Sequence, residues 1–453
     1  MYHFQTYKKQ YKSNLLLALP VVLTQLGQIL TQVADNIMVG QYGGDDPVPL
    51  AAVSFGGTVF FIGFIASIGI ALGMTPLVGQ HYARGEHQQA GTLLQNGIIF
   101  YTLVGLLMSA LQFAVIPLMS HMGQPHDVVE MALPYYRLLA TSLPFIMLFF
   151  AFKQFLEGVG NTKVETVITI TSNVANVILN WILIFDHGDT PGMGAQGAGL
   201  ATLLARMLTP ILAIMYFLNN PKYRSYLRGF SLKSLQKKIV RKLLSMGIPI
   251  SFQMFLEASA FVATSIMMGW LGKEAISANQ IATTLGNCSF MIILSIGAAT
   301  TIRVSHCYGR KDIDQLAMAA KASYHLMLMW GMITSVLYVS LRHFIPMLFT
   351  TNEEVIEIAS QLMFFIALYQ LSDGVQNASV SILRGLQDVK IIMPIAFLSY
   401  WILNIPVGYL CGFTLGMGPS GLFLGFTFGL SSAALLMIIR IRKRMRIIRA
   451  QNS

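Results

Sequence analysis

The sequence predicts an all-α integral membrane protein: twelve transmembrane helices in two six-helix bundles, related by a pseudo-two-fold axis along the membrane normal. Three observations carry that expectation. The first is composition. Of 453 residues, 55% are hydrophobic and 11% charged, against roughly 25% charged in a soluble domain, and the mean hydropathy is +0.62. The second is segmentation, because most apolar stretches reach the roughly 20 residues that cross a bilayer. The third is internal repetition. Ala18-Leu19-Pro20 is answered by Gly247-Ile248-Pro249, Tyr82-Ala83-Arg84 by Tyr308-Gly309-Arg310, and Leu156-Glu157-Gly158 by Leu383-Arg384-Gly385, always at about half the chain length. Parallel repeats in an apolar chain mark secondary transporters, whose substrate sites lie between the halves.

The predicted spans run over 14–40, 50–76, 92–119, 133–159, 164–187 and 195–219, then 241–270, 280–305, 317–347, 359–384, 390–413 and 420–441. Several contain proline or glycine, which membrane helices tolerate when neighbours re-satisfy the freed backbone groups. The first six form an N-terminal bundle over 1–219. A polar, Lys/Arg-rich linker over 220–241 follows, then a C-terminal bundle with a basic tail over 242–453. Six spans per half return the chain to the side it started from, so both halves share one topology.

The net charge of +11 is distributed as a topology signal. With both termini inside, Lys8, Lys9, Lys12, Arg84 and Lys163 face the cytoplasm. So do the basic residues from Lys222 to Lys242, then Arg303, Arg310, Lys311, Lys321, Arg384 and Lys390, and the tail from Arg440 to Arg449. The opposite face carries only Arg137, Lys273 and Arg342. This positive-inside bias orients the chain in a plasma (inner) membrane. The tail then reads as anionic-lipid contact rather than a nucleic-acid surface. The first apolar segment is too long and too polar for a cleaved signal, since it holds Gln25, Gln28, Gln32 and Asp35. Cys288, Cys307 and Cys411 fit neither a zinc nor a disulfide framework.

Chemistry is expected at acids inside the membrane. Most Asp and Glu fall in loops or at helix ends; Asp35, Glu257 and Asp373 lie within the first, seventh and tenth spans. A mid-membrane charge costs about 2.5–3.5 kcal/mol on insertion scales, so such residues line ion or substrate paths. The other use is a structural ion pair, for which only Lys153 and Arg206 lie at matching depth. Tyr369 precedes Asp373 by one helical turn, on the same face. Gly374 follows as a point of backbone freedom, and Glu257 comes two turns after Pro249, where a bend could move it. Two carboxylates and a phenol could form one cation site. Oxygen ligands suit Na⁺, and the same carboxylates could take a proton. In the first half, Asp35 could form a second polar site with Asn173, Asn176 and Asn180 of the fifth span; buried amides also serve as helix–helix glue.

At the level of motif the chain resembles the multidrug and toxic compound extrusion (MATE) family, closest to its NorM-like branch. The matching stretches are Ala34-Asp35-Asn36-Ile37-Met38-Val39-Gly40, Gly160-Asn161-Thr162-Lys163 and Asn176-Val177-Ile178-Leu179-Asn180, with Glu257, Tyr369 and Asp373. The resemblance covers nearly the whole chain. It implies export of organic cations driven by Na⁺ or H⁺, with Glu257, Asp373 and Tyr369 as the cation site and Asn176 and Asn180 as polar positions of the N-terminal bundle. Some archaeal-type members carry an aspartate where this chain has Asn180, which argues against a proton-only mechanism in the first bundle and for a cation site in the second.

No cofactor is expected beyond the coupling ion, and no nucleotide site, because a G-x-x-x-x-G-K-[ST] run is absent. The Gly192–Gly197 stretch has a counterpart at Met417–Gly421, which favours a structural turn over a phosphate loop. An enzyme is not expected, since no nucleophile–base pair or metal cluster has convincing spacing. The expected partners are small organic cations or drugs, Na⁺ or H⁺ and membrane lipids, with the chain acting as a monomer. The alternative is a lipid-linked oligosaccharide flippase of related architecture, which would need a cationic cleft for pyrophosphate.

Overall fold

The computed structural model describes residues 2–44, 46–186, 191–231 and 235–451. The expected linker includes 232–234, and the predicted fifth span ends at 187; both lie outside the described residues. The helices are α1 (Tyr2–Gly43), α2 (Val48–Leu72), α3 (Met74–Ala83), α4 (His87–Met119), α5 (His126–Gly158), α6 (Thr162–Ile184), α7 (Gly194–Asn219) and the short α8 (Pro221–Arg224). They continue with α9 (Lys237–Leu271), α10 (Lys273–Gly309), α11 (Ile313–Leu341), the short α12 (Phe344–Met347), α13 (Glu353–Gly385), α14 (Ile392–Ala396), α15 (Ile405–Tyr409) and α16 (Gly418–Ala450). Among the described residues, twelve helical spans are long and apolar enough to cross a membrane. Helix α3 continues the span of α2, and α14 and α15 share one span with the π-helical turns Phe397–Asn404 and Leu410–Thr414.

The helices overrun the predicted spans. Helix α1 starts at Tyr2 rather than near residue 14, and α16 runs to Ala450 rather than stopping near 441. Apolar length marks the hydrocarbon, and a helix does not end where its apolar stretch ends. Lys8, Lys9, Lys12 and the basic residues after Arg440 therefore sit on helices, not in loops.

The chain forms two compact units that do not coincide with its two halves. One is Leu23–Ser251; the other joins Met1–Val22 to Phe252–Ser453. The exchange points fall within α1 and α9, just after the repeat-related Pro20 and Pro249. Proline removes one backbone hydrogen bond and loosens the helix there, so each helix can begin in one unit and end in the other. The first residues of the linker are anchored. Tyr223 and Tyr226 are buried; the Tyr226 ring lies 4.9 Å edge-on to Phe155, and the Tyr223 hydroxyl accepts from Asn161 at 2.7 Å. Aromatic pairs of this kind add about 0.5–1.5 kcal/mol beyond burial, so the linker is docked on the first unit.

The repeat is preserved in atomic detail. Helix α5 ends with Asn161 N–H donating to Leu156 O at 2.8 Å, and α13 ends with Asp388 N–H donating to Leu383 O at 2.9 Å. The left-handed residue that closes each end is Gly160 in one and Gln387 in the other. Gly158 abuts Val78 and the Thr75 carbonyl, as Gly385 abuts Val304 and the Thr301 carbonyl. Thr75 donates to the Gln154 carbonyl, as Thr301 does to the Ser381 carbonyl.

Candidate cation and substrate sites

In the second unit, helices α9 and α13 and the π-helical turn between α14 and α15 build a polar network in an apolar bundle. Gln253 and Glu257 lie one turn apart on α9, and Gln253 Nε2 donates to Glu257 Oε2 at 2.7 Å. The carbonyl of the same amide accepts from Arg384 Nη2 at 2.9 Å. Arg384 thus reaches the Glu257 carboxylate across a single glutamine. On α13, Tyr369, Asp373 and Asn377 recur every fourth residue and share a face. Asp373 is buried, and Asn377 Nδ2 donates to its Oδ1 at 2.9 Å.

The Glu257 and Asp373 carboxylates are close enough to repel one another. The Tyr400 hydroxyl is a hydrogen-bonding neighbour of Glu257, and it also donates to Gln376 Oε1 at 3.1 Å. Tyr369 faces Asp373 and packs its ring 6.0 Å from Phe426 and 6.4 Å from Phe423. The structure therefore brings Glu257, Asp373 and Tyr369 to one place, as their sequence positions suggest.

Tyr400 reaches this place because of how its helix is wound. The π turn widens the backbone by one residue per hydrogen bond, a feature concentrated at functional sites. It is packed against α16 through Gly425 and Gly429, while Gly421, four residues earlier, meets the second π turn at Cys411 and Gly412. A methyl group added at Gly429 would lie 2.7 Å from Asn404 Cβ and 2.9 Å from the Ser399 carbonyl. Small residues at this spacing let membrane helices approach backbone to backbone. Gly374 differs from expectation: it is buried in the regular run of α13, where an added methyl would lie 3.2 Å from the Met327 carbonyl. Its absent side chain serves packing rather than backbone freedom.

In the first unit, Asp35 of α1 meets α6. Asn180 Nδ2 donates to Asp35 Oδ1 and also to Asn176 Oδ1, the latter at 3.2 Å. With its amide turned over, Asn176 donates to the same Asp35 oxygen at 3.0 Å. Asn176 and Asn180 are buried. Arg206 of α7 and the Tyr135 phenol of α5 also face Asp35. Arg206 donates to Ser142 Oγ at 2.7 Å and lies over the rings of Phe60 and Phe64, at 5.0 and 5.3 Å. Asp35, Asn176 and Asn180 therefore form one site. Asn173 stands apart, its buried Nδ2 lacking a hydrogen-bond partner among the described residues.

Sequence reasoning missed several members. Tyr400 and Tyr135 gave no signal, because a tyrosine in an apolar span looks like any core aromatic. Arg384 reads from the sequence only as a basic residue at a helix end, and its bond to Gln253 gives no signal there. Lys153 does not pair with any of the three expected acids. It binds Glu157 and Glu165, at 3.9 and 3.4 Å, two acids set aside because they lie near helix ends. Arg440 of the basic tail makes a bidentate pair with Asp388, at 2.7 and 3.0 Å.

The MatE family profile matches residues 20–182 and 249–410, one segment in each repeat. The chain belongs to the MatE family. It is 30% identical over 441 residues to the multidrug resistance protein NorM of Photobacterium profundum, covering 96% of each chain. It is also 30% identical over 446 residues to the multidrug resistance protein MdtK of Yersinia pseudotuberculosis, covering 97% of this chain and 96% of that one. Among solved structures, a mutant of the Vibrio cholerae MATE transporter VcmN superposes with a TM-score of 0.88 at 17% identity, covering 98% of both chains. The full-length likeness to NorM and MdtK puts this MATE protein in the NorM-like branch, as a multi-pass integral membrane transporter and not an enzyme.

Proposed function

We propose that this chain is a multidrug efflux transporter that exports organic cations in antiport with Na⁺ or H⁺ by alternating access. Support for drug export comes from the names of its full-length relatives, multidrug resistance proteins. The observation that carries the coupling mechanism is the charge balance around Glu257. Two carboxylates, Glu257 and Asp373, face each other with one cation, Arg384, held a glutamine away. A buried carboxylate without a full counter-charge is costly, and a monovalent cation or a proton neutralises the excess. Glu257, Asp373 and Tyr400 supply oxygen ligands of the kind hard cations prefer, with the Tyr369 phenol beside them. Two carboxylates set against Arg384 leave one negative charge, which a single positive charge matches better than a divalent ion does.

The cycle follows from linkage. Na⁺ or H⁺ from outside neutralises Glu257 and Asp373 and favours the inward-open state, which releases the ion and takes up drug. Each net charge moved inward gains about 2.3 kcal/mol per 100 mV, so the membrane potential drives export of a monocation when more than one ion enters per substrate, and the ion's own concentration gradient drives a one-for-one exchange. Asp35, Asn176 and Asn180 supply a second polar site that can hold part of a cationic substrate. The chain works as a monomer in the plasma (inner) membrane with both termini cytoplasmic, the orientation its basic residues favour.

The test is ethidium efflux from cells expressing the chain, with and without a Na⁺ gradient, beside Glu257→Gln and Asp373→Asn. Na⁺-stimulated efflux lost in both variants is the expected result, and efflux that follows the pH gradient instead assigns the couple to H⁺. Correctly inserted protein that exports no organic cation overturns the proposal.

A further inference from the structure

We propose that the Lys153–Glu157–Glu165 cluster of the first unit binds one exchangeable proton, held on its two carboxylates. The site is assembled from α3, α5 and α6 at the end of the bundle that carries Arg84, Lys163 and the linker. Lys153 and Glu157 lie one turn apart near the end of α5, and Glu165 projects from the first turn of α6. Lys153 Nζ lies 3.9 Å from Glu157 Oε1 and 3.4 Å from Glu165 Oε2. Its ammonium also sits 5.6 Å from the centre of the Phe150 ring. Thr75 of α3 points its hydroxyl at the Gln154 side-chain carbonyl, with Glu157 Oε2 at 3.4 Å.

Three observations point to a proton. The first is charge. Among the described residues, the charged groups acting on the cluster are Lys153, Glu157 and Glu165 themselves, with none from α3, α4 or α7 packed against them. One ammonium against two carboxylates leaves one negative charge over. Glu165 is 0% exposed and Glu157 5%, and an uncompensated buried charge neutralises rather than persists. The second is hydrogen bonding. Both Glu165 carboxyl oxygens are buried with no hydrogen-bond partner among the described residues, Oε2 having only the Lys153 ammonium at 3.4 Å, and Gln154 Nε2 on the Thr75 side of the cluster is also without one. A carboxylate there would leave a full acceptor unsatisfied, at a cost larger than that of a neutral acid.

The third comes from the repeat. The second unit builds the same corner, with Thr301 on the Ser381 carbonyl and Gly385 on Val304, and there Val380 and Ile392 stand where the first has Lys153 and Glu165. Both are buried apolar residues. Arg384 stands at the position of Glu157, so the architecture tolerates either sign there and stands without the Lys153 and Glu165 charges, whose presence in one unit needs another reason. With Lys153 as its one cation and only two carboxylates, the cluster offers a metal ion few ligands, so the remaining charge is met by a proton rather than a metal ion.

This site is separate from Glu257 and Asp373, and its test does not depend on transport. Purified protein in lipid nanodiscs is titrated by infrared difference spectroscopy, following the carboxylic-acid C=O stretch and its shift in D₂O. The wild type is expected to show an acid signal that disappears in Glu165→Gln or Glu157→Gln. Should those variants fail to fold, glutamate labelled with ¹³C in the Glu257→Gln background must still show one shifted acid signal. Absence of any such signal, with both glutamates ionised throughout, overturns the proposal. So does an acid signal that appears only when Na⁺ is withheld, which would make the ligand Na⁺.

Discussion

The glycine ladder of α16 holds the π-helical turn that aims Tyr400 at Glu257, so Gly429→Ala should injure a site that Gly429 does not touch. The added methyl group would sit 2.7 Å from Asn404 Cβ and 2.9 Å from the Ser399 carbonyl. Ordinary contact begins near 3.4 Å, so α16 and the Phe397–Asn404 turn must separate by several tenths of an ångström. Both neighbours belong to the backbone or to its first side-chain atom, and no rotamer change relieves them. Overpacking of this kind costs about 1–3 kcal/mol. The strain falls on Ser399 and Asn404, which flank Tyr400, and loosens the Tyr400 contacts to Gln376 and Glu257. Thermal unfolding in detergent and cation-driven ethidium efflux would both be measured. The expected result is a lower midpoint and weakened coupling. Gly57→Ala is the control: its methyl would meet nothing nearer than the Tyr135 hydroxyl at 3.9 Å, so stability and efflux should hold. Wild-type stability and coupling in Gly429→Ala would refute the reasoning.

Two further perturbations follow from the same geometry. Arg384→Gln keeps a donor for the Gln253 carbonyl but removes the positive charge behind Glu257. At an effective dielectric near 20 that interaction is worth on the order of 1–2 kcal/mol, so half-maximal stimulation should need roughly tenfold less Na⁺ or H⁺; an unchanged or higher requirement would exclude Arg384 as a counter-charge. Lys311 and Gln387 adopt φ of 59° at the two turns where the first half has Gly85 and Gly160. Left-handed backbone costs an L-residue about 1–2 kcal/mol, part of which glycine returns through its freer unfolded chain. Lys311→Gly and Gln387→Gly should each raise the unfolding midpoint by up to about 1 kcal/mol in stability, and a fall in both would refute it.

The twelve spans and the repeat were legible because the bilayer imposes a length and an apolarity that a sequence cannot hide. Asp35, Glu257 and Asp373 were legible for the related reason that a charge in hydrocarbon is expensive. The same filter failed at Glu157 and Glu165: it judged depth by position along the chain, while burial at a bundle's end depends on which helices cover it. Tyr400 depends on a π turn held by glycines on a helix some thirty residues later, information carried by packing alone. The exchange of helix ends between units left one trace, the prolines Pro20 and Pro249, whose meaning appears only when the contacts beyond them are known.

Charge balance then separates the three buried polar networks. Asp35 is met by two asparagine amides and faced by Arg206, one negative group against one positive. It therefore has less need of a coupling ion from outside than Glu257 and Asp373 have. Glu257 and Asp373 share one more distant cation, Arg384, and leave a charge unmet. Glu157 and Glu165 share Lys153 and do the same. The repeat makes the contrast sharper, because Glu157 and Arg384 occupy the same corner of the two units with opposite sign. In the first unit that corner adds a second acid to a lysine-bound pair. In the second it supplies, among the described residues, the cation that acts on Glu257. Duplication fixed the scaffold, and the sign of one residue decides whether its corner takes up positive charge or competes for the carboxylate that does.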